Sequence, residues 1–338
     1  MSERMSSPGS SSEHAGTAGT MSPEPAATRP SQRSAGQPPT RGDDAMAADR
    51  STFAPALALL PDPLKADVQR LYRVLRTLDD LVDEDDPRAA QRVGAVERWA
   101  HAPQADRPHA GALEANHAQA DDPETNAPQP DTPETRALTE LARRYPLPRE
   151  SLLEFCQAMR HDIARASVED DADFTRYCQR AGGSVGVVLA NILGTAPGAD
   201  PRETQARGRE AQTRMAALGR AMQITNILRD IDEDLTHGRV YISGAAIERF
   251  GFPEPGAREE LLRDHIARAE ELYVQGAGAI GLLRGGRQAM ALAASLYREI
   301  LRQLERDGFG RTPGRAVVPA WRIRQLTARH RIDQPQRL

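Results

Sequence analysis

Apolar residues return every three or four positions through most of the chain. Within residues 62–86 they fall at Leu64, Val68, Leu71, Val74, Leu75, Leu78 and Val82, a spacing that gives a helix one apolar face. Pro61 and Pro63 mark the start of this helix and Pro87 its end. The same pattern predicts helices over residues 152–166, 174–193, 201–235, 255–283 and 288–306. The third of these is interrupted at the "GGSVG" of residues 182–186, and a last short helix follows Pro319. No stretch alternates apolar and polar residues between hairpin turns, as a half-buried strand would. The pattern therefore predicts an all-α protein with short connections.

Two stretches break it. Residues 1–46 are Ser, Gly, Pro and Ala with almost no large apolar side chain. Such a segment buries too little surface to offset its ordering entropy, so it is predicted to be a disordered tail. It also lacks the apolar core of a secretory signal. Residues 101–135 contain the near-repeats "DDPET" and "DTPET" and are predicted to be a disordered insertion between two helices. What remains is one helical domain over residues 47–330, within the usual domain size, followed by a tail at 331–338.

Charge and cysteine content narrow the classes. The net charge of −4 implies no general affinity for nucleic acid. Residues 301–338 differ, with nine Arg against three acids. Two readings of that region stay open: peripheral contact with an anionic membrane, or a solvated basic face. Cys156 and Cys178 form no paired motif, which fits a reducing, cytoplasmic compartment. No apolar run reaches the 18 or so residues of a membrane span, so only peripheral membrane association is left open.

The candidate chemistry lies in two acidic helices. In "RTLDDLVDEDDP", residues 76–87, six acids crowd eight positions at a helix carboxyl end, where the macrodipole is already negative. Tyr72, Arg76, Asp79 and Asp83 follow at steps of four, three and four, a stripe beside the apolar one. In "QITNILRDIDEDLTHGRVYI", residues 223–242, Asn226, Asp230 and Asp234 stand at i, i+4 and i+8 with Gln223 on the same face. Gly238 is the expected cap. Oxygen ligands without Cys or His suit Mg²⁺, with Mn²⁺ as the alternative. Two such helices facing each other would hold a diphosphate through metal, with Arg76, Arg229 and Arg239 neutralising the remaining charge. One acid pair alone would more often be a solvated face; two sets mixed with Arg favour the metal reading.

"TLDDLVDE" and "ITNILRDIDEDLTHGRVYI" resemble the two aspartate-rich motifs of the squalene/phytoene synthase family. "AMRHDI" (158–163), "YCQRAGGSVG" (177–186), "IERFGF", and Tyr297 followed by "RDGFGR" are similar to further family segments in order and spacing. The resemblance implies an isoprenoid synthase-type helical bundle around a central cavity, and head-to-head (1'-1) condensation of two prenyl diphosphates through a cyclopropyl diphosphate. It implies Asp79, Asp83, Asn226, Asp230 and Asp234 as metal ligands. Four of these, Asp79, Asp83, Asp230 and Asp234, with Tyr72 and Tyr297, are the implied catalytic groups. Arg76, Gln223, Asn226, Arg229, Arg239, Tyr241, Tyr177 and Phe53 are the implied substrate-binding groups, and Arg315 is a looser correspondence. The small residues of "AGGSVGVVLANILG" would let helix backbones pack closely.

Two departures stand out. Asp49 and Arg50 of "DRSTF" replace the His-Ser found in many members, and Ser243 stands where a Pro commonly follows "RVYI". Phytoene synthesis from two C20 units leads the implied activities. Squalene, presqualene diphosphate or hydroxysqualene synthesis from C15 units stays open, with NADPH required only for squalene. A non-catalytic assembly factor of the same fold and a single-substrate terpene cyclase are the remaining alternatives.

Overall fold

The computed structural model describes residues 52–102 and 131–332. The predicted tail, most of the predicted insertion, Asp49, Arg50 and residues 333–338 lie outside the described residues. Twelve α-helices account for most of the rest: α1 (Ala54–Leu57), α2 (Leu64–Asp83), α3 (Ala89–His101), α4 (Pro133–Ala142), α5 (Arg149–Ile163), α6 (Asp171–Cys178), α7 (Ser184–Leu193), α8 (Pro201–Thr236), α9 (Gly244–Phe250), α10 (Glu259–Leu282), α11 (Arg287–Arg306) and α12 (Ala320–Ile332). Among the described residues the sole β pairing is an isolated bridge between Thr195 and Leu283. The all-α prediction stands.

Local sequence explains most boundaries. α2 buries Val68, Leu71, Val74, Leu75, Leu78 and Val82, six of the seven apolar positions in its pattern. α8 starts where Asp200 accepts from the Glu203 N–H at 2.8 Å, with Pro201 as the first helical residue. The stretch read as an insertion ends inside ordered chain. Thr132 accepts from the Thr135 N–H and Thr135 Oγ1 accepts from the Thr132 N–H, so "DTPET" opens α4 with a reciprocal cap. Ser243 accepts from the Ala246 N–H at 3.2 Å and caps α9; this is what the chain has in place of the usual Pro.

α8, with 36 residues and a length of about 54 Å, is the axis of the bundle. α10 packs along it, with α7 and α11 on other sides. "GGSVG" does not break its helix. α6 continues through a π turn, Gln179–Gly183, into α7, and the glycines there are steric requirements. A Cβ on Gly182 would collide with the Gly219 carbonyl of α8, and one on Gly186 with the Met215 carbonyl. The two backbones touch, as the run of small residues predicted. α2 packs against α3, α4, α5 and α7. It does not pack along α8; the two acidic helices look at each other across a gap.

Candidate active site

The two acidic helices end in the same way. At the end of α2, Asp85 is left-handed (φ 51°), and the N–H groups of Asp86 and Asp85 donate to the carbonyls of Leu81 (2.9 Å) and Val82 (3.2 Å). At the end of α8, Gly238 is left-handed (φ 68°), and Arg239 and Gly238 donate to the carbonyls of Asp234 (2.9 Å) and Leu235 (3.0 Å). Both are Schellman closures. α5 repeats the motif with Arg165 left-handed (φ 49°), and Ala166 and Arg165 each donate at 3.1 Å, to His161 and Asp162. The three carboxyl ends meet. The Arg165 guanidinium donates to the Asp85 carboxylate at 2.7 Å and to the His237 carbonyl at 2.9 Å. Each helix end carries about half a negative charge, so this corner is strongly electronegative before any side chain is counted.

Asp83 and Asp234 face each other across it. Asp234 is pushed up to about 7, first by burial and then by the negative charges of Asp230 and Asp83. Asp79 is likewise pushed up to about 7, by burial and then by Asp83, with Arg76 pulling the other way. Asp79 keeps 41% of its side-chain surface accessible although desolvation is the largest influence on it. A group meets both conditions when it lines a concavity. Arginines neutralise part of the charge. Arg76 donates to Asp79 at 3.0 Å and pairs with Asp80 at 2.6 Å. Arg229 holds Asp230 through two bonds of 2.8 and 2.5 Å. Arg239 reaches back from the α8 closure to Asp83 and to the Val82 carbonyl.

A second cluster sits beside the first. Tyr297 of α11 lies within the fields of Arg229, Tyr72, Asp230 and Arg76, and burial raises its phenol above the ordinary range. Tyr72 stacks on Phe53 with ring centroids 6.4 Å apart, and Arg229 also reaches Thr52 at 3.5 Å. Tyr177 stacks on Tyr241 at 4.9 Å and donates to Asp162 at 3.0 Å. The structure thus draws Phe53, Tyr72, Arg76, Asp79, Asp83, Tyr177, Arg229, Asp230, Asp234, Arg239, Tyr241 and Tyr297 into one connected cluster at the gap. Gln223 lies one turn before Asn226, against Gly182 of the π turn.

Among the described residues no three His, Cys, Asp or Glu side chains converge on a single point; the carboxylates lean on their arginines instead. The donor set still fits a divalent cation. The Asn226 Oδ1 is buried without a hydrogen-bond partner, a cost of roughly 1–3 kcal/mol unless something else meets it. At Asp79 and Asp234 burial and the neighbouring carboxylates outweigh the nearby arginines. All the groups are hard oxygen donors.

Two residues, Asp162 and Arg165, enlarge the predicted set, and Arg315 joins it. Asp162, from the "AMRHDI" segment, is buried and faces Asp79, Arg239 and Tyr241; its segment was legible and its role was not. Arg165 carries no periodic or motif signal. Arg315, the looser correspondence, pairs with Asp230 at 3.1 Å and Glu233 at 3.3 Å. Its loop is pinned by the Gly314 N–H donating to Asp232 at 2.7 Å. A cleft of about 310 Å³ opens beside the corner, lined by Asp162, Arg165, Ser167, Arg239, Tyr241 and Ile242 among others.

The squalene/phytoene synthase family model matches residues 46–322, most of the chain and every residue of the gap. The chain belongs to the squalene/phytoene synthase family. Members are prenyltransferases of the head-to-head type. A phytoene synthase from Thermus thermophilus is 35% identical over 55% of this chain and 63% of its own length. A 15-cis-phytoene synthase from Synechococcus elongatus is 28% identical over 80% of this chain and 85% of its own. A presqualene diphosphate synthase from Rhodopseudomonas palustris is 32% identical over 60% and 61%. Among solved structures, a dehydrosqualene synthase superposes with a TM-score of 0.67 at 24% identity, covering 86% of this chain and 94% of that one. A squalene synthase from Alicyclobacillus acidocaldarius gives 0.57 at 23% identity, covering 80% and 96%. These two likenesses carry the fold alone.

Proposed function

We propose that this protein joins two geranylgeranyl diphosphates 1'-1 through a cyclopropyl diphosphate and is a phytoene synthase. The observation that carries the reading is the tie between the two acidic helix ends: Arg239, just past α8, donates to Asp83 of α2, and Arg165 joins Asp85 to the His237 carbonyl. This supports one ligand shared by both acid motifs. Asp79 and Asp83 on one side, and Asn226, Asp230 and Asp234 on the other, would hold Mg²⁺, with Mn²⁺ as a substitute. When bound, the metal supplies positive charge to a departing diphosphate. The chain's own groups do the rest. Arg76, Arg229, Arg239 and Arg315 are cations preorganised for diphosphate oxygens, and on binding they exchange carboxylates for phosphate. Asp162 fixes the Tyr177 hydroxyl by accepting from it. Phe53, Tyr72, Tyr177, Tyr241 and Tyr297 give the gap aromatic walls that keep water from an allylic cation.

The Rhodopseudomonas relative favours a second reading, the C15 substrate with presqualene diphosphate as product. NADPH belongs to the account only if squalene is formed. A long hydrocarbon product has no home in water, so peripheral contact of the basic C-terminal region with a membrane is part of the proposal. One incubation separates the readings: purified protein with Mg²⁺ and either farnesyl or geranylgeranyl diphosphate, with and without NADPH. Phytoene from the C20 substrate without NADPH is expected. Products only from the C15 substrate would replace the first reading by the second. No condensation of either substrate would overturn both.

A further inference from the structure

The chain is net negative, with 44 basic and 48 acidic residues, yet residues 308–332 hold six Arg and no acid. The structure shows how this segment is arranged. It runs from the loop that carries Arg315 over the Asp230 carboxylate into α12. α12 turns one face to α11. Leu326 is buried, His330 Nε2 meets Ser295 Oγ at 2.9 Å, and Arg322 donates to the buried Glu299 at 2.9 Å. The opposite face is bare. At about 100° per residue, Trp321, Arg324, Gln325 and Ala328 fall within one narrow arc, flanked by Arg329 and Arg331, and all six are exposed.

Three features of that face argue against a merely solvated helix. Trp321 is 61% exposed and Val317, four residues before it, 68%. The other tryptophan, Trp99, is 3% exposed. Among the described residues Arg324, Arg329 and Arg331 have no carboxylate partner, whereas Arg315 and Arg322 do. The face also adjoins the loop that lies over the acidic end of α8.

We propose that Val317, Trp321 and the exposed arginines of α12 form a docking surface for an anionic lipid bilayer. The surface holds the mouth of the active site against the membrane. Trp321 and Val317 insert at the interface, where an indole is at home, and Arg324, Arg329 and Arg331 meet lipid phosphates while their stems lie along apolar chains. The attachment is reversible, since a short basic face with one aromatic anchor is far from a membrane span. This rests on the proposed activity, whose amphiphilic substrates and hydrocarbon product partition into bilayers.

The binding measurement uses the full chain and no prenyl substrate. Protein is mixed with phosphatidylcholine vesicles with and without phosphatidylglycerol; co-sedimentation and tryptophan emission are read. Binding to the anionic vesicles is expected, with a blue shift that Trp321→Ala abolishes. The triple variant Arg324→Gln/Arg329→Gln/Arg331→Gln should lower partitioning about 100-fold, roughly fivefold for each charge. Raising salt to about 0.5 M should release the wild-type protein as well, a control independent of any variant. Turnover in detergent should be unchanged in these variants. No binding, equal binding to both kinds of vesicle, or binding to a nucleic-acid duplex in preference to vesicles would overturn the proposal. Vesicle binding without condensation would leave it standing and sink the assigned reaction. Condensation in detergent without vesicle binding would do the reverse.

Discussion

α2 carries two inward carboxylates twelve residues apart, and they are treated in opposite ways. Asp67, fully buried, accepts from Tyr145 at 2.6 Å, from Arg144 at 2.5 Å and from Arg70 at 3.2 Å. Asp79 has one arginine and three like charges around it, and burial together with those charges pushes it up to about 7. α8 repeats the contrast within two residues. Asp232 takes two bonds from buried Arg258 and one from the Gly314 N–H, and these hold its carboxyl below the usual range against its own burial. Asp234 is pushed up to about 7. A carboxylate built for structure has its donors supplied by the fold. The carboxylates proposed as metal ligands are left short of positive charge, at a cost to the metal-free protein.

The contrast is broken most sharply by substitution. Asp79→Asn should lower turnover about 10³-fold, as read by product formation with Mg²⁺, while its melting temperature in chelator stays level or rises. Asp67→Asn should do the opposite. Removing the charge strands Arg144 and Tyr145 and costs about 3 kcal/mol by urea titration, with turnover per folded molecule retained. If both lost activity equally with no difference in stability, the two classes of carboxylate would be one.

Smaller effects sharpen it. Arg165→Ala unties the three helix ends without touching a proposed ligand. The Mg²⁺ needed for half-maximal rate should rise about tenfold, and melting should shift little because the Arg165–Asp85 pair is exposed. Arg165→Lys, with one fewer acceptor in reach, should fall between. The pH dependence follows from the raised carboxyls. Asp79 and Asp234 bind protons more tightly folded than unfolded, so metal-free stability should fall as pH rises from about 4 through about 7. Thermal melts in chelator should show a decline of a few degrees across that window. Mg²⁺ should erase it above pH 7 and have little effect below pH 5.

The helical class and the acid stripes were legible because both rest on spacing of three and four, which the helix turns directly into faces. Other elements were hidden by composition. α3 is Ala-rich, so its apolar period at Val93, Val96 and Trp99 is faint. α4 opens inside a Pro- and Asp-rich run whose capping chemistry looks like disorder at the level of composition. "GGSVG" read as an interruption because glycine weakens isolated helices; tertiary contact at Gly182 and Gly186 overrides that preference. The crowd of acids at residues 79–86 is explained in three dimensions alone. Three carboxyl ends and their arginines meet there, and only the partner helices show why the charge is tolerable. Asp162 and Arg165 act through chain neighbours about 80 residues away, and local pattern holds no trace of that.

Titration calorimetry of inorganic diphosphate into the protein with Mg²⁺ present tests the joint grip of α2 and α8 most directly. Wild type should bind, and Asp79→Asn and Asp230→Asn should each weaken binding at least about tenfold, with the double variant losing less than the product of the two. Undiminished binding in either single variant would contradict a ligand held by both helices.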